Sequence, residues 1–161
     1  MAEMSDPKKT VSLLNDLIHL DFDAIAAYQA AIDRLHQASD KAQLGRFLAD
    51  HRRHIVDLTP LVEDNGGNAV TEADYKEILT KGKVVIAGLM GDRAVLEAMK
   101  SNEDTTNQMY EKATREPSMT TRVRTVLERN LADERRHRAW IEQRLAAMSS
   151  TVDMMGRDKH R

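Results

Sequence analysis

Apolar side chains recur three and four residues apart along most of the chain, which is the spacing of one buried face of an α-helix. The first such stripe lies between about Lys9 and Gln37 and consists of Leu14, Leu17, Ile18, Ala24, Ile25, Ala31, Ile32 and Leu35. A second stripe follows Ser39, a residue type that caps helix N-termini, and it stops at the glycine pair 66–67. Pro60 lies inside this stripe and predicts a kink near its end. The first part of the chain therefore predicts two long helices.

The remainder of the chain predicts two further long helices after a long connection. Residues 68–90 are too many for a tight turn, and Thr71 with an acidic residue three positions later is a capping box that predicts a short helix. The apolar spacing then predicts a third long helix from Asp92 to about Thr114. A fourth is predicted from about Met119 to Met148.

The lengths of the connections predict how the helices are arranged. Short links between helices one and two, and between three and four, favour two antiparallel hairpins, and the long middle link can cross the length of the bundle. We expect an all-α four-helix bundle in which two antiparallel hairpins are joined by one long crossover. Residues 1–148 are expected to form this single domain, and residues 149–161 a disordered tail. An open three-helix core with a separate fourth helix is the alternative.

Composition narrows the chemistry that such a bundle can carry. The chain has 161 residues, no Cys and only 4% aromatic residues, so disulfides, thiolate metal sites and Cys nucleophiles are excluded. Lys plus Arg (24) nearly balances Asp plus Glu (26), and this balance gives no electrostatic support for binding nucleic acid or an anionic membrane. The N-terminal residues do not resemble a signal peptide, and no apolar run is long enough to span a bilayer. We therefore expect a cytoplasmic protein.

Each of the four long helices has polar residues inside its apolar stripe, near the middle of the helix. They are Asp21 in helix one, His51 and His54 in helix two, Glu103 in helix three, and Glu134 and His137 in helix four, with Asn130 one turn before Glu134. A single buried Asp or His is usually a hydrogen-bonded structural residue, because burying a polar group without a partner is costly. Polar residues at the same level of all four helices instead favour a shared site.

The two halves of the chain resemble each other around these residues. Asp21 precedes Tyr28 by seven positions, and Glu103 precedes Tyr110 by seven, so each pair shares a helix face. The segment DHRRH at 50–54 likewise matches DERRH at 133–137. The offsets between the matching positions are 82 or 83 residues, which indicates an internal duplication of a helical hairpin.

The spacing of the polar residues suits a metal ion. In Glu134-x-x-His137 the two side chains lie one turn apart on the same face, so both can reach one ion inside a bundle. Carboxylate oxygens and imidazole nitrogens together suit iron, manganese or zinc. The first residue of each repeated segment, Asp50 or Asp133, points about 100° away from the stripe. We expect these two aspartates to face water or the neighbouring Arg side chains.

Taken together, the residues at these positions resemble the di-iron signature of the ferritin-like superfamily, as in bacterioferritin and rubrerythrin. The resemblance covers roughly residues 10–148, and LNDLI at 14–18 is similar to the opening of small bacterial ferritin-like domain proteins. It implies that Glu103 is a terminal carboxylate ligand, Glu134 a bridging carboxylate, and His54 and His137 terminal nitrogen ligands. It also implies that Tyr28 and Tyr110 hydrogen-bond to ligand carboxylates and orient them.

Two positions depart from the pattern of that superfamily. Asp21 stands where the superfamily has Glu, which shortens its reach by one methylene, and His51 stands where a bridging Glu is expected. The set then carries three formal negative charges instead of four, so a second ion should bind more weakly. One ion, a labile pair of ions, a softer ion such as zinc, and a site that has lost its metal are all open alternatives.

Two functions from different classes follow from these features. The first is a metal-binding protein whose core site holds iron, as one ion or two, with zinc or manganese as alternatives, and oxidises ferrous iron with dioxygen or peroxide. The second is a metal-free helical structural or stress-associated interaction protein in which the same residues form a hydrogen-bonded network. Whether the protein is an enzyme stays open. We expect metal ions as partners and a homodimer formed through an outer helix face, but no nucleic acid or membrane partner.

Overall fold

A computed structural model describes residues 5–78, 86 and 88–158 of the chain, with side chains up to residue 150. These residues contain helices and connecting loops, and no β-strand is found among them. The helices are α1 (Pro7–Arg34), α2 (Ala38–Asp64), α3 (Glu72–Ile78), α4 (Asp92–Thr114) and α5 (Thr121–Asp158).

The ends of the first two helices differ slightly from the sequence expectation. Helix α1 begins where Asp6 accepts a hydrogen bond from the backbone of Lys9, and it ends at Arg34. Ser39 lies inside α2 and does not cap it, because the cap position is Gln37. The carboxylate of Asp92, at the start of α4, instead accepts the backbone N–H groups of residues 36 and 37. A carboxylate from another helix therefore takes the role that was assigned to Ser39.

The connection between the hairpins contains the short helix that the sequence predicts. Thr71 and Asp74 form the expected capping box, in which the Asp74 side chain accepts from the Thr71 N–H at 2.9 Å and the Thr71 hydroxyl accepts from the Asp74 N–H at 3.1 Å. Helix α3 then ends at Ile78. The rest of the connection that falls on residues 79–85 and 87 lies outside the described residues.

Contacts at the two ends of the bundle establish its topology. His36, after the end of α1, contacts Asp92 at the start of α4, whereas Asp64, at the end of α2, pairs with Arg122 at the start of α5. The chain therefore returns along the full length of the bundle between α2 and α4. Helix α1 packs against α2 and α4, and α5 packs against α4 and α2. The predicted four-helix bundle with one long crossover is confirmed, and the alternative of an open three-helix core is not found.

Helix α5 is longer than predicted. It continues through Asp158, whereas the sequence predicted a disordered tail from residue 149. No Pro or Gly interrupts the chain between Thr121 and Gly156, so nothing in the backbone ends the helix at Met148. Within the described part of the chain, no helix is both long and apolar enough to cross a membrane.

The apolar core is divided into two clusters along the bundle axis. One lies towards the α1–α2 loop and includes Ala31, Leu35, Leu44, Phe47, Leu96, Met99, Ile141 and Leu145. The other lies towards the opposite end and includes Leu14, Leu17, Ile18, Leu58, Leu61, Val62, Ala113, Val123 and Leu127. Between them is a layer of buried polar side chains. The polar residues that interrupt the four apolar stripes are thus enclosed together in one layer of the bundle.

Candidate metal centre

The structure brings all six predicted ligand residues into this layer, which we call the polar layer. Each of them has a relative exposure of 0%: Asp21 from α1, His51 and His54 from α2, Glu103 from α4, and Glu134 and His137 from α5. Apolar clusters lie above and below the layer, so water has no open access from either end of the bundle. Charged groups at this depth must be paired with one another or with an ion.

The two tyrosines cross between α1 and α4 in opposite directions. The hydroxyl of Tyr28 on α1 donates to Oε1 of Glu103 at 2.5 Å. The hydroxyl of Tyr110 on α4 donates to Oδ2 of Asp21 at 2.6 Å. The contacts expected of both tyrosines are therefore present, and they relate the two halves of the site by an approximate two-fold axis.

His51 uses its two ring nitrogens differently. Its Nδ1 lies 2.8 Å from Oδ1 of Asp21, which is a hydrogen-bond distance. Its Nε2 has no hydrogen-bond partner and lies 3.5 Å from Oε1 of Glu103. His51 therefore links the Asp21 side of the polar layer to the Glu103 side.

The other two histidines each contact an aspartate at the interface of α2 and α5. Nε2 of His54 lies 2.9 Å from Oδ2 of Asp133, and Nε2 of His137 lies 2.8 Å from Oδ2 of Asp50. Both rings therefore direct Nδ1 into the polar layer. A carboxylate on the outer nitrogen of a metal-ligating histidine fixes the ring and its tautomer.

The angle between each aspartate and the residue beside it on the helix did not predict this contact. Asp50 and Asp133 were expected to face water or neighbouring arginines. The second part of that expectation is right, since Arg53 and Arg136 each pair with both aspartates. The signal for the histidine contact was the repeated four-residue interval from Asp to His in DHRRH and DERRH, which places both ends of each motif on one helix face.

Glu134 lies between the two halves of the polar layer. Its Oε1 is 3.4 Å from Nδ1 of His51 and 3.3 Å from Nδ1 of His54, whereas its Oε2 is 3.6 Å from Nδ1 of His137. The hydroxyl of Thr106 lies 3.1 Å from Oε2 of both Glu134 and Glu103. One carboxylate thus faces every histidine of the layer.

Polar residues on α4 and α5 support these carboxylates. The Asn107 amide donates to the backbone carbonyls of Glu103 and Glu134 at 2.7 and 3.1 Å. Thr106 and Asn107 are not among the predicted site residues, although both interrupt the apolar stripe next to Glu103. Asn130 is buried as expected, but neither its side-chain nitrogen nor its side-chain oxygen has a hydrogen-bond partner among the described residues.

The charges of the polar layer compensate each other. Burial alone raises the pKa of a carboxyl group, but the imidazoles around Asp21 and Glu103 outweigh burial and hold both pKa values below the ordinary range. Burial and the neighbouring carboxylates together raise the pKa values of the Tyr28 and Tyr110 phenols well above the usual value for tyrosine. The carboxyl groups Asp21 and Glu103 are therefore ionised and the phenols protonated at neutral pH.

The pKa values of the imidazoles shift upward, in the opposite direction to those of the carboxyl groups. Burial lowers the pKa of a histidine, but hydrogen bonds with Asp133 and Asp21 overcome it and raise the pKa of His54 to about 10. The hydrogen bond with Asp50 and the nearby carboxylate of Glu103 similarly raise the pKa of His137 to about 9. Without an ion, protons on these rings balance the buried carboxylates. A cation placed among the same groups would do the same.

Several metal-donor atoms of the layer have no hydrogen-bond partner among the described residues, and they test whether a metal ion fits. These buried atoms are Nε2 of His51, Nδ1 of His137 and Oε1 of Glu134. Their neighbours among the predicted ligands lie 3.3–3.6 Å away, near or beyond the limit of a good hydrogen bond. Two atoms bound to one ion at about 2.1 Å lie about 3.0–3.5 Å apart. The residues therefore fit an ion better than they fit each other.

The donors form two overlapping groups, in each of which one atom per residue lies within 4.8 Å of the others. One group contains His51, Glu103, Glu134 and His137, and we call it the Glu103 group. The second contains Asp21, His51, His54 and Glu134, and we call it the Asp21 group. Each group offers two carboxylates and two imidazoles, a donor set that suits iron, manganese or zinc.

A weaker metal candidate on the surface does not gain a third ligand. His19 and Asp23 lie 3.5 Å apart on α1, and Tyr75 donates to the same aspartate at 2.8 Å. Neither residue belongs to a group of three or more donors within the described part of the chain. The centre inside the bundle is therefore the stronger candidate.

A comparison of the whole fold with solved structures supports a ferritin-like bundle. The chain superposes on the bacterioferritin-related protein from Bacteroides fragilis, described as a dodecameric thioferritin, with a TM-score of 0.76. The alignment covers 93% of this chain and 92% of that chain at 15% sequence identity. Such a likeness establishes the fold alone, and the predicted ferritin-like four-helix bundle is confirmed at that level.

Sequence comparison places part of the candidate centre inside a defined family. No protein with a curated description matches the sequence. A family model described as "Domain of unknown function (DUF2383)" matches residues 9–116, which include most of α1 and all of α2 and α4, with Asp21, His51, His54 and Glu103. Because this match spans most of the chain, the protein belongs to the DUF2383 family.

Proposed function

We propose that this protein binds a metal ion of the iron type in the centre of its bundle and oxidises ferrous iron with dioxygen or peroxide. The observation that carries the proposal is the convergence of unpartnered, fully buried donor atoms from His51, Glu134 and His137. An unpartnered buried polar atom costs free energy, about 1–3 kcal/mol each. A site that positions several such atoms together is explained by a ligand that binds them.

Some residues of the layer would bind an ion directly, and others would hold those ligands in position. Glu103 and Glu134 supply negative charge, and the imidazoles supply nitrogen donors. Tyr28 holds the Glu103 carboxylate, while Asp50 and Asp133 hold the outer nitrogens of His137 and His54. Iron bound here would supply one-electron redox chemistry. The apolar clusters on both sides keep bulk water away from the centre.

Ferrous iron as a substrate gives a balanced reaction with peroxide. Two ferrous ions each lose one electron, and one hydrogen peroxide takes both electrons and two protons to form two water molecules. The outer aspartates Asp50 and Asp133 have side-chain exposures of 15% and 12%, whereas the imidazoles they contact have 0%. These carboxylates therefore connect the buried rings to solvent and provide a path by which protons reach or leave Nε2 of His137 and His54.

Metal loading of untagged protein, purified without chelators, tests this proposal. We expect ferrous, manganous or zinc ions to remain bound after desalting and to raise the thermal unfolding midpoint, because an ion that binds only the folded state stabilises it. Glu134→Gln should abolish this shift. Glu128→Gln, at an exposed position of the same helix, is the matched control and should keep it. Wild-type protein that retains none of the three metals would contradict the proposal.

Activity is measured separately from binding. Anaerobic protein supplied with ferrous iron should consume peroxide or dioxygen faster than iron in buffer, with two ferrous ions oxidised per peroxide. Glu134→Gln should reduce this rate to that of free iron. Binding without accelerated oxidation would leave a metal-binding protein and remove the oxidase part of the proposal.

A metal-free structural role is favoured by a different observation. The hydrogen bonds of Asp21 with His51 and Tyr110, and the pairing of both outer aspartates with arginines, hold part of the layer together without an ion. A buried polar network can be stable where its members are paired. If added metal leaves the unfolding midpoint unchanged, this second function is supported.

Self-association through an outer helix face stays a prediction. A cleft of about 380 Å³ between α1, α2 and α3 is lined by apolar residues such as Phe22, Ile25 and Ile55 together with charged residues such as Arg52 and Lys76. Apolar surface of this kind is typical of an interface. The similar protein from Bacteroides fragilis is described as a dodecamer. Light scattering of the purified chain would show whether it forms a dimer or a larger assembly.

A further inference from the structure

Resting on the proposed function, we infer that the centre holds one ion per chain, bound by the Glu103 group, and that Asp21 is a positioning residue for His51 and not a ligand. The two departures from the ferritin-like pattern then have a single consequence. His51, in place of a carboxylate, joins the donors of one ion. Asp21, one methylene shorter than Glu, holds the far side of the His51 ring.

The orientation of His51 is the first support. Its Nδ1 is committed to Asp21 at 2.8 Å, while its Nε2 is buried, unpartnered and directed to Glu103 at 3.5 Å. This is the arrangement of a metal-ligating histidine whose other nitrogen is held by a carboxylate. If Nδ1 of His51 bound an ion of the Asp21 group, that hydrogen bond would have to break.

The remaining imidazoles lead to the same assignment. Both unpartnered ring nitrogens of the polar layer, on His51 and His137, belong to the Glu103 group. His54 instead has a carboxylate near each nitrogen, with Asp133 at 2.9 Å from Nε2 and Asp21 at 3.3 Å from Nδ1. The ring nitrogens without a partner therefore lie in the Glu103 group, whereas both nitrogens of His54, in the Asp21 group, already contact carboxylates.

The two terminal carboxylates also differ in the donors that reach them. Oδ1 of Asp21 faces two imidazole nitrogens, and its Oδ2 accepts from Tyr110. Oε1 of Glu103 accepts a hydrogen bond from Tyr28 only, which leaves a lone pair that faces the unpartnered nitrogens. A carboxylate oxygen has two lone-pair sites, so Oδ1 of Asp21 is saturated, whereas Glu103 retains capacity for an ion.

The number of ions per chain tests the inference directly on the wild-type protein. Zinc or ferrous iron is titrated into metal-free protein, and the bound metal is counted by elemental analysis after desalting. One ion per chain supports the inference. Two ions would overturn it while leaving the proposed metal-binding function intact, whereas no bound ion would remove the proposed function itself.

Variants at the two departing positions separate a positioning role from a ligand role. Asp21→Asn should keep one ion per chain but weaken its binding about 10–100-fold, as expected for a group that acts through a ligand. Asp16→Asn, exposed on the same helix, is the control and should bind as wild type does. The double variant Asp21→Glu with His51→Glu restores four carboxylates and should bind two ions. If it folds, as judged by circular dichroism, and still binds one, the inferred reason for the single ion is wrong.

A spectroscopic measurement distinguishes the roles of the two His51 nitrogens. In zinc-loaded protein with ¹⁵N-labelled histidine, Nε2 of His51 should carry the resonance of a metal-bound nitrogen. Its Nδ1 should keep a proton that is protected from exchange by Asp21. In Asp21→Asn that protection should decrease, a change that a merely structural defect elsewhere would not produce. A metal-bound Nδ1 would overturn the inference.

Discussion

Hairpin α1–α2 and hairpin α4–α5 present the same kinds of side chain to the polar layer, but they differ at two matching positions. Each provides an acidic residue with a tyrosine seven positions later, and each has an aspartate, two arginines and a histidine at the same spacing in DHRRH or DERRH. The differences are Asp21 against Glu103 and His51 against Glu134. The outer parts of the repeat are matched, with Tyr28 and Tyr110 crossing over and both outer aspartates holding histidines. The tyrosines and outer aspartates are thus the same in both hairpins, whereas the residues at the centre of the polar layer differ.

The asymmetry decides which half should respond most to the loss of a carboxylate. Glu103→Gln removes a negatively charged metal ligand from the Glu103 group, which contains the unpartnered nitrogens. We therefore expect metal affinity to fall by more than about 100-fold, which is the upper limit for losing a residue that only holds a ligand. Asp21→Asn, at the matching position, should stay within that limit. Competition with a chromogenic chelator measures both affinities. Equal losses in the two variants would show that the halves are equivalent.

The raised histidine pKa values predict that the metal-free protein is less stable at alkaline pH. In the folded state His54 titrates at about 10 and His137 at about 9, above the ordinary value of 6.5. Their contribution to the free energy of unfolding is therefore complete below pH 6.5 and is lost as pH rises through 9 and 10. Metal-free protein should show a falling thermal midpoint between pH 7 and pH 9.5.

Zinc-loaded protein provides the contrast to this prediction. The proton on His137 leaves when an ion of the Glu103 group binds that imidazole, so binding strengthens as pH rises towards 9. The midpoint of the loaded protein should change less between pH 7 and pH 9.5, because only the contribution of His54 is still lost. Parallel curves for the two forms would mean that His137 does not exchange a proton for metal.

The tyrosine pair gives a smaller test of the same comparison. Tyr28→Phe and Tyr110→Phe each remove a hydrogen bond to a buried carboxylate, which should cost about 1.5–3 kcal/mol of unfolding free energy in either half. Urea denaturation measures that loss. Metal affinity should fall more in Tyr28→Phe than in Tyr110→Phe, because Glu103 is assigned as a ligand, whereas Asp21 acts through His51. An equal fall in both variants would favour direct binding by Asp21.

Sequence periodicity predicted most of this architecture because the helices are long and their stripes are regular. The bounds of α4 and the position of all six buried polar residues follow from spacing alone. The cap of α2 did not follow, since its acceptor, Asp92, comes from a helix 55 residues away along the chain. The contacts of Asp50 and Asp133 with histidines also required the third dimension, because each joins α2 to α5. Spacing places a residue on a face, but the partner across an interface depends on how helices pack.

The arginines over the α2–α5 interface should have the smallest effect of all. Arg53 and Arg136 each bridge Asp50 and Asp133, but 47% and 57% of their side chains are exposed, so solvent screens these pairs. Arg53→Gln and Arg136→Gln should each cost less than about 1 kcal/mol of unfolding free energy. Because both arginines contact both aspartates, the two variants should also change metal affinity equally. A larger effect of Arg136→Gln would mean that Asp50, which holds His137, depends on that arginine, and the asymmetry of the centre would then extend to the surface.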